Sequence, residues 1–404
     1  MDCEQRLFAA ALGVAAPWNV TETTLSVADR RLDITIDFER GGRFSCPVCG
    51  QAVPAYDTSQ QTWRHLNFFQ YAAYITARVP RTDCPECGAK SVEVPWARAG
   101  SGFTLVFEAL VMWLAKQMPM AAVAQTVDEH DTRLWRIVHH YVEAARAQQD
   151  FSEVKDVGVD ETASRRGHNY ISLFVDLDES RVLFGTSGKD AATVTAFAED
   201  LKEHGGTSEQ IEKVACDMSP AFIKGVGEQF PNAEITFDRF HLTKVVNEGV
   251  DQVRREESRE VAGLKRTRYI WLKNRENLTP TQQATLESLT GHNLKTSRAY
   301  QIKLTFQEFF DQPTRAEGEQ FLKRWYFWAT HSRLEPMIAA AKTIKGHWEG
   351  VLNWFESKLT TGVLEGINSL LQAAKARARG YRSDRNFIAM AYLLAGKLEF
   401  GLPT

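Results

Sequence analysis

VKDVGVDETASRRGHNYISLFVDLD, from Val154 to Asp178, reads as two apolar strands joined by a polar turn. The first strand runs into Asp160, the turn spans Ser164 to Asn169 with Arg165, Arg166 and Gly167 in it, and the second strand returns through Leu177. Val157 and Val159 alternate with Gly158 and Asp160, and in a strand that period of two sends the valines to one face and Asp160 to the other. A lone aspartate beside a turn is ordinarily a turn former or a helix cap. A chemical role for Asp160 therefore requires partner carboxylates from elsewhere in the chain.

Downstream, strands and helices alternate. Asn169 to Leu177 and Arg181 to Thr186 extend the meander, and Ala191 to Glu203 is an amphipathic helix. Ile211 to Asp217 is a strand, Ser219-Pro220 opens a helix to Gln229, and Ala233 to Phe237 is a fifth strand before a helix from Phe240. This is the succession of a ribonuclease-H-like α/β domain, whose first and fourth strands are neighbours. The fourth strand ends in Asp217, so two carboxylates at neighbouring strand ends could bind a hard divalent cation through oxygen. Asp176 and Asp178 compete for that role but stand at a hairpin end, where turn-forming aspartates belong; Asp178 and Glu161 read as turn and surface groups.

From Asp238 to about Glu356 the pattern is almost wholly helical, with Trp271, Trp325, Trp328 and Trp348 as core anchors. Its basic residues, among them Arg254, Arg255 and Arg268, are interleaved with acids and form either a solvated face or a phosphate-contacting surface. In the last motif, Thr360 to Phe387, Glu365 and Asn368 share a helix face, and Lys375, Arg377 and Arg379 follow. Glu365 could complete a metal site that an Asp-Asp pair begins.

The 404 residues are 44% hydrophobic, enough for two or more domains with full cores. A net charge of -3 means that any nucleic-acid contact must use local basic patches. Leu7 to Ala16 is apolar but follows Asp2 and Glu4 where a signal peptide needs cations, and Phe103 to Leu114 is interrupted by Glu108, so we expect no membrane segment.

Four of the six cysteines form two knuckles, Cys46-Pro-Val-Cys49-Gly50 and Cys84-Pro-Glu-Cys87-Gly88. Disulfides or an iron–sulfur centre are alternatives, but the doubled CPxCG points to a zinc ribbon closed by four thiolates, a structural site with no open position for chemistry. His65, between the knuckles, reads as a surface or packing residue. Ahead of the ribbon, Thr24 to Val27 and Leu32 to Phe38 are strands. Behind it come a helix from Phe103 to Lys116, a short one from Pro119 to Val127, and a third capped by Thr132 and carrying Arg133, Trp135 and Arg136. That pattern fits a DNA-binding helix-turn-helix and a plain three-helix bundle equally.

Taken together, the CPxCG pair, VGVDE at Val157 to Glu161, CDMSPAF at Cys216 to Phe222, DRFH at Asp238 to His241, and the LEGIN and ARGYR segments resemble the DDE-type insertion-sequence transposases of the ISL-three family over nearly the whole chain. The resemblance implies an α+β multidomain protein: strands and zinc ribbon over 1–98, helix-turn-helix over 99–150, a ribonuclease-H-like core over 151–241, an all-helical insertion over 242–356, and a catalytic helix with a basic segment over 357–404. It implies Asp160, Asp217 and Glu365 as a catalytic triad on two Mg2+ (or Mn2+) ions, with Asp238, His241 and Asn368 in support. Where relatives often carry Asn before the Gly, this chain has Thr361. DNA contacts fall to Arg133, Trp135, Arg136, Lys375, Arg377, Arg379 and Arg382. The expected partners are the terminal inverted repeats and target DNA, bound by a homodimer or higher oligomer in the bacterial cytoplasm. Two rival functions are a zinc-ribbon and helix-turn-helix regulator that needs no working triad, and a metal-dependent nuclease without strand transfer.

Overall fold

The strands on either side of the cysteine knuckles form one sheet. The computed structural model describes residues 3–165, 167, 169–237, 239–357 and 362–403, which divide into two units, Met1–Ala145 with Glu399–Thr404, and Arg146–Leu398. Asp238, Thr360 and Thr361 lie outside the described residues.

In the first unit, α1 (Cys3–Ala11) precedes β1 (Trp18–Ser26), β2 (Arg31–Phe38), β3 (Arg43–Ser45), β4 (Ala52–Arg64), β5 (Ala72–Cys84) and β6 (Gly88–Ser91). The sheet order is β1-β2-β5-β4-β3, with β6 on β5. The parallel pairing of β2 with β5 joins the leading hairpin to the ribbon. Ile34 and Ile36 of β2 and Ile75 and Ala77 of β5 are buried at alternate positions, as a half-covered sheet requires. β1 begins at Trp18, six residues before the expected Thr24, because a bulge between Val20 and Glu22 breaks the alternation on which that expectation rested.

Three helices follow, α2 (Leu105–Gln117), α3 (Met120–Val127) and α4 (Asp131–Arg146). The third starts at Asp131, so Thr132 lies in its first turn and does not cap it; the ring of His130 accepts the Thr132 amide at 3.4 Å. Glu108, which interrupts the apolar run of α2, is fully buried and accepts hydrogen bonds from Arg98 Nε (2.9 Å), Ser101 Oγ (2.6 Å) and the Tyr141 hydroxyl (2.8 Å). Such a carboxylate is tolerated only because it is fully paired. His65 is a packing residue: its Nδ1 sits 3.0 Å from Thr104 Oγ1, and burial beside Arg64 lowers its pKa to about 4. No helix among the described residues is long and apolar enough to cross a membrane.

The second unit is built on β7 (Asp156–Arg165), β8 (Asn169–Asp176), β9 (Arg181–Ser187), α5 (Ala191–Glu203), β10 (Lys213–Cys216), α6 (Pro220–Gln229) and β11 (Glu234–Phe237). Its sheet order is β11-β10-β7-β8-β9, with β10 and β11 parallel to β7 and the β7-β8-β9 meander antiparallel. Val157 and Val159 point into the same core as Phe197 of α5 and Phe222 of α6. Asp160 lies mid-strand, not beside the turn, because β7 continues to Arg165 and shortens the loop.

Among the described residues, eight helices then follow: α7 (Arg239–Glu257), α8 (Arg268–Leu272), α9 (Pro280–Thr290), α10 (Lys295–Gln307), α11 (Arg315–Thr330), α12 (Glu335–Gly346), α13 (Trp348–Leu352) and α14 (Trp354–Ser357). Trp271, Trp325 and Trp348 are buried among them, whereas Trp328 is 41% exposed and is not a core anchor: one residue on from Phe327, it lies on the outer side of α11. Of the basic residues, Arg254 is buried in a pairing with Asp251, toward which Arg255 and Arg268 also turn while staying exposed. The last helices are α15 (Gly362–Arg377) and α16 (Asp384–Ala395). The segment expected to run unbroken from 357 to 404 divides after α16: Glu399–Thr404 cluster with the first unit, where Lys116 Nζ stands 5.1 Å from the Phe400 ring.

Candidate active site and cysteine knuckles

The parallel pairing of β10 with β7 sets Lys213 beside Asp156, Val214 beside Val157 and Ala215 beside Gly158. Carried two residues further, that register brings Asp217 level with Asp160, one strand spacing of about 4.8 Å away. The chain turns there into α6, and Asp217 Oδ1 accepts the Ser219 amide at 2.9 Å, which fixes the carboxylate at the strand end.

A helix laid along the strand brings the third element. Leu364 packs onto Gly158, Asn368 Nδ2 donates to Asp160 Oδ2, Gln372 donates to Thr162, and Lys375 donates to the carbonyl of Ala163. Four helical residues rise about 6 Å and two strand residues about 6.6 Å, so α15 and β7 stay in step from Leu364 to Gln372. Glu365 is exposed in the first turn of α15, one turn before Asn368 on the same side. Asp160 Oδ1 accepts the Glu161 amide at 2.7 Å, so both of its oxygens are held.

Glu161 is half-buried, not a surface group. Burial raises its pKa, and the charges of Asp217 and Asp160 raise it further, while Lys189 and His241 oppose them. Three carboxylates therefore share one field where the middle of β7 meets the end of β10. A one-residue shift of strand register would have left Glu161 outward, and only the tertiary packing decides this. Asp176 and Asp178 do form the turn: Asp176 Oδ1 accepts the amides of Asp178 (3.1 Å) and Glu179 (3.0 Å).

Beyond Asp160 along β7, a cleft of about 800 Å³ opens between the strand end and the C-terminus of α15. Arg165, Lys375, Arg379, Tyr381 and Arg382 line it, and the Tyr381 ring stacks on buried Phe387 at 5.2 Å. Arg377 does not line this cleft and is exposed. Arg165 and Tyr381 were not singled out from the sequence as contact residues, since the hairpin that carries Arg165 read only as a turn. On α4, Arg136 is exposed, whereas Arg133 is held by Glu129 at 2.5 Å and lies 4.4 Å from the Phe103 ring; Trp135 is half-buried against His139.

The sulfurs of Cys46, Cys49, Cys84 and Cys87 all lie within 4.8 Å of one another, and none is in a disulfide. Four thiolates at about 2.3 Å from a zinc ion stand roughly 3.8 Å apart, so the cluster fits that ion. The amides of Cys49 and Val48 point at Cys46 and lower its pKa to about 7, while burial and the neighbouring thiols push Cys87 up to about 12. Gly50 and Gly88 close the knuckles at φ of 77° and 71°, a conformation that favours glycine.

Comparison with known proteins matches these features in order. A model described as a transposase covers residues 157–391. The chain belongs to the ISL3 family of transposases. A zinc-finger model of transposases IS204/IS1001/IS1096/IS1165 matches residues 42–87, and a helix-turn-helix model of the ISL3 transposases matches 92–142, which decides the three-helix segment in favour of a DNA-binding domain. The chain is similar to the transposase for insertion sequence element IS1557 of Mycobacterium tuberculosis, 29% identical over 87% of this chain and 86% of the relative. It is also similar to the transposase for IS1001 of Bordetella parapertussis, 26% identical over 85% and 86% respectively. Among solved structures, a chain of a simian T-cell lymphotropic virus intasome aligns over 46% of this chain and 66% of its own at 14% identity, with a TM-score of 0.20, too low to bear on the fold. As an ISL3-family member the protein is a DNA transposase, and the regulator reading is not favoured.

Proposed function

We propose that this transposase cuts and joins DNA strands at the ends of an insertion sequence with Asp160, Asp217 and Glu365 as ligands for two divalent cations, Mg2+ or Mn2+. The observation that carries the reading is the register of β10 on β7, which brings Asp217 level with Asp160, together with the contact of α15 on that same aspartate. Held by these oxygens, such cations would supply activation of a water or hydroxyl for in-line attack on a phosphodiester and stabilisation of the leaving 3′ oxygen. The chain's own part is positional. The β7–β10 pairing would hold the two aspartates, and α15 would carry Glu365 toward them on a rigid element. His241, in the first turn of α7, would support the site, together with Asp238, which lies outside the described residues.

The cationic cleft past Asp160 would hold the phosphates of the strand being cut, and a 3′-hydroxyl freed there would attack target DNA at the same acids. Phosphate contacts, Arg136 among them, would fix position, while other residues of α4 such as Trp135 would read base edges of the terminal inverted repeats. The sheet order and directions of the second unit support a ribonuclease-H-like core, with the helices between β11 and α15 as an insertion. Zinc on the four thiols would hold the ribbon and take no part in chemistry. The active species would be a dimer or higher oligomer on DNA in the cytoplasm. The test is a supercoiled plasmid carrying the element ends, incubated with Mg2+ and purified protein. Wild type should nick at the ends and join them to target, and Asp160→Asn, Asp217→Asn and Glu365→Gln should each bind the ends without cutting. Cleavage without joining by wild type would leave a nuclease.

A further inference from the structure

We infer that Asn368 is itself a ligand of the cation site, through its side-chain oxygen, and that the amide turns over when a cation binds. This rests on the reading of Asp160 as a cation ligand. Asn368 Nδ2 donates to Asp160 Oδ2, while Asn368 Oδ1 is buried and has no hydrogen-bond partner among the described residues. A buried carbonyl oxygen without a partner is costly and is unusual enough in a folded protein to require a cause. Helix α15 gives one. The side chain reaches the same carboxylate that the cation would share, one helical turn from Glu365.

Two oxygen acceptors repel, so an amide facing a carboxylate presents its N–H, as it does here. A divalent cation on Asp160 reverses that preference, because amide hydrogens carry positive charge and the amide oxygen is a hard ligand of the kind Mg2+ and Mn2+ accept. Half a turn about the last side-chain torsion exchanges the two atoms without moving α15. The orphaned oxygen gains the cation, Asp160 exchanges a hydrogen bond for a metal bond, and the amide nitrogen takes the place the oxygen leaves, a loss that the cation–oxygen bond must outweigh. No bond to carbon is made or broken, and no proton leaves.

Calorimetric titration of the full chain with Mn2+ tests this, with circular dichroism to confirm folding. Asn368→Ala should weaken Mn2+ binding on the order of tenfold or more, the scale seen when groups supporting a metal ligand are removed. The isosteric Asn368→Asp, which can only offer oxygen, should bind at least as tightly as wild type. If Asn368→Ala binds Mn2+ as wild type does while Asp160→Asn loses it, Asn368 takes no part in the site and the inference fails; if Asn368→Ala and Asn368→Asp both bind more weakly than wild type, Asn368 is only a donor to Asp160 and it fails too. If Asn368→Ala does not fold, weaker binding by Asn368→Asp than by wild type overturns it instead. If Asp160→Asn binds as wild type, the cation site itself is misassigned and the inference goes with it.

Discussion

Gly158 permits the approach of α15 to β7, and replacing it with alanine should displace the active site from a position that touches none of the acids. A methyl group at residue 158 would stand 2.8 Å from Leu177 Cδ2 and 2.8 and 2.9 Å from the two terminal methyls of Leu364. Carbon atoms pack at about 3.5–4.0 Å, so roughly 1 Å of separation has to be found. Both methyls of Leu364 lie over the site and the side chain is buried, so rotation cannot clear it and the first turn of α15 must move out. Overpacking of this kind costs about 1–3 kcal/mol. The functional loss should be larger in proportion, because Glu365 is the next residue and a shift of about 1 Å in a catalytic group costs on the order of 100-fold in rate. Plasmid cleavage in Mg2+ should therefore fall about 100-fold with end binding retained, alongside a modest drop in melting temperature. Adding Leu364→Ala should recover much of the rate by removing the clash. Wild-type cleavage by Gly158→Ala would refute the argument, and so would a loss of stability with no loss of rate.

The remaining predictions concern metal, charge and pH. Cys49→Ser should release one zinc per chain by mass spectrometry and loosen the ribbon while the second unit keeps its melting transition; native protein without zinc would sink this. Arg136→Ala should reduce the log–log salt slope of end binding by about one unit, whereas Arg133→Ala should change it less because Glu129 already holds that guanidinium; equal effects would count against the pairing. Asp178→Asn and Glu161→Gln should retain most cleavage, since the first is a turn group and the second is not among the proposed cation ligands. Burial lowers the pKa of His65 to about 4 from an ordinary 6.5, so between those values the unfolded chain binds more protons. Stability of the first unit is then complete above pH 6.5 and declines as pH falls to 4, by up to about 3 kcal/mol. His65→Gln should flatten that decline in a pH series of chemical denaturation, and an unchanged slope would exclude His65 as its source.

The sequence by itself determined the features that depend on spacing along the chain. The cysteine knuckles are local turns, so four ligands could be read from two tetrapeptides. Helices α5 and α6 have the bounds that apolar periodicity and Ser219-Pro220 indicate, because caps and amphipathic faces act within a few residues. The apolar face of Val157 and Val159 was equally legible. What crosses between elements was not. The parallel bond between β2 and β5 has no local signature, and the bulge in β1 hid six of its residues. Arg133 and Arg136 look alike in sequence, and only folding puts Glu129 and Phe103 against one of them. Glu161 read as exposed because a carboxylate usually is, yet it shares a field with Asp160 and Asp217. The step-matched packing of α15 on β7, with Gly158 under Leu364 and Asn368 on Asp160, joins residues some two hundred positions apart. Such a contact is fixed by the summed burial of both elements, a quantity that no window of sequence contains.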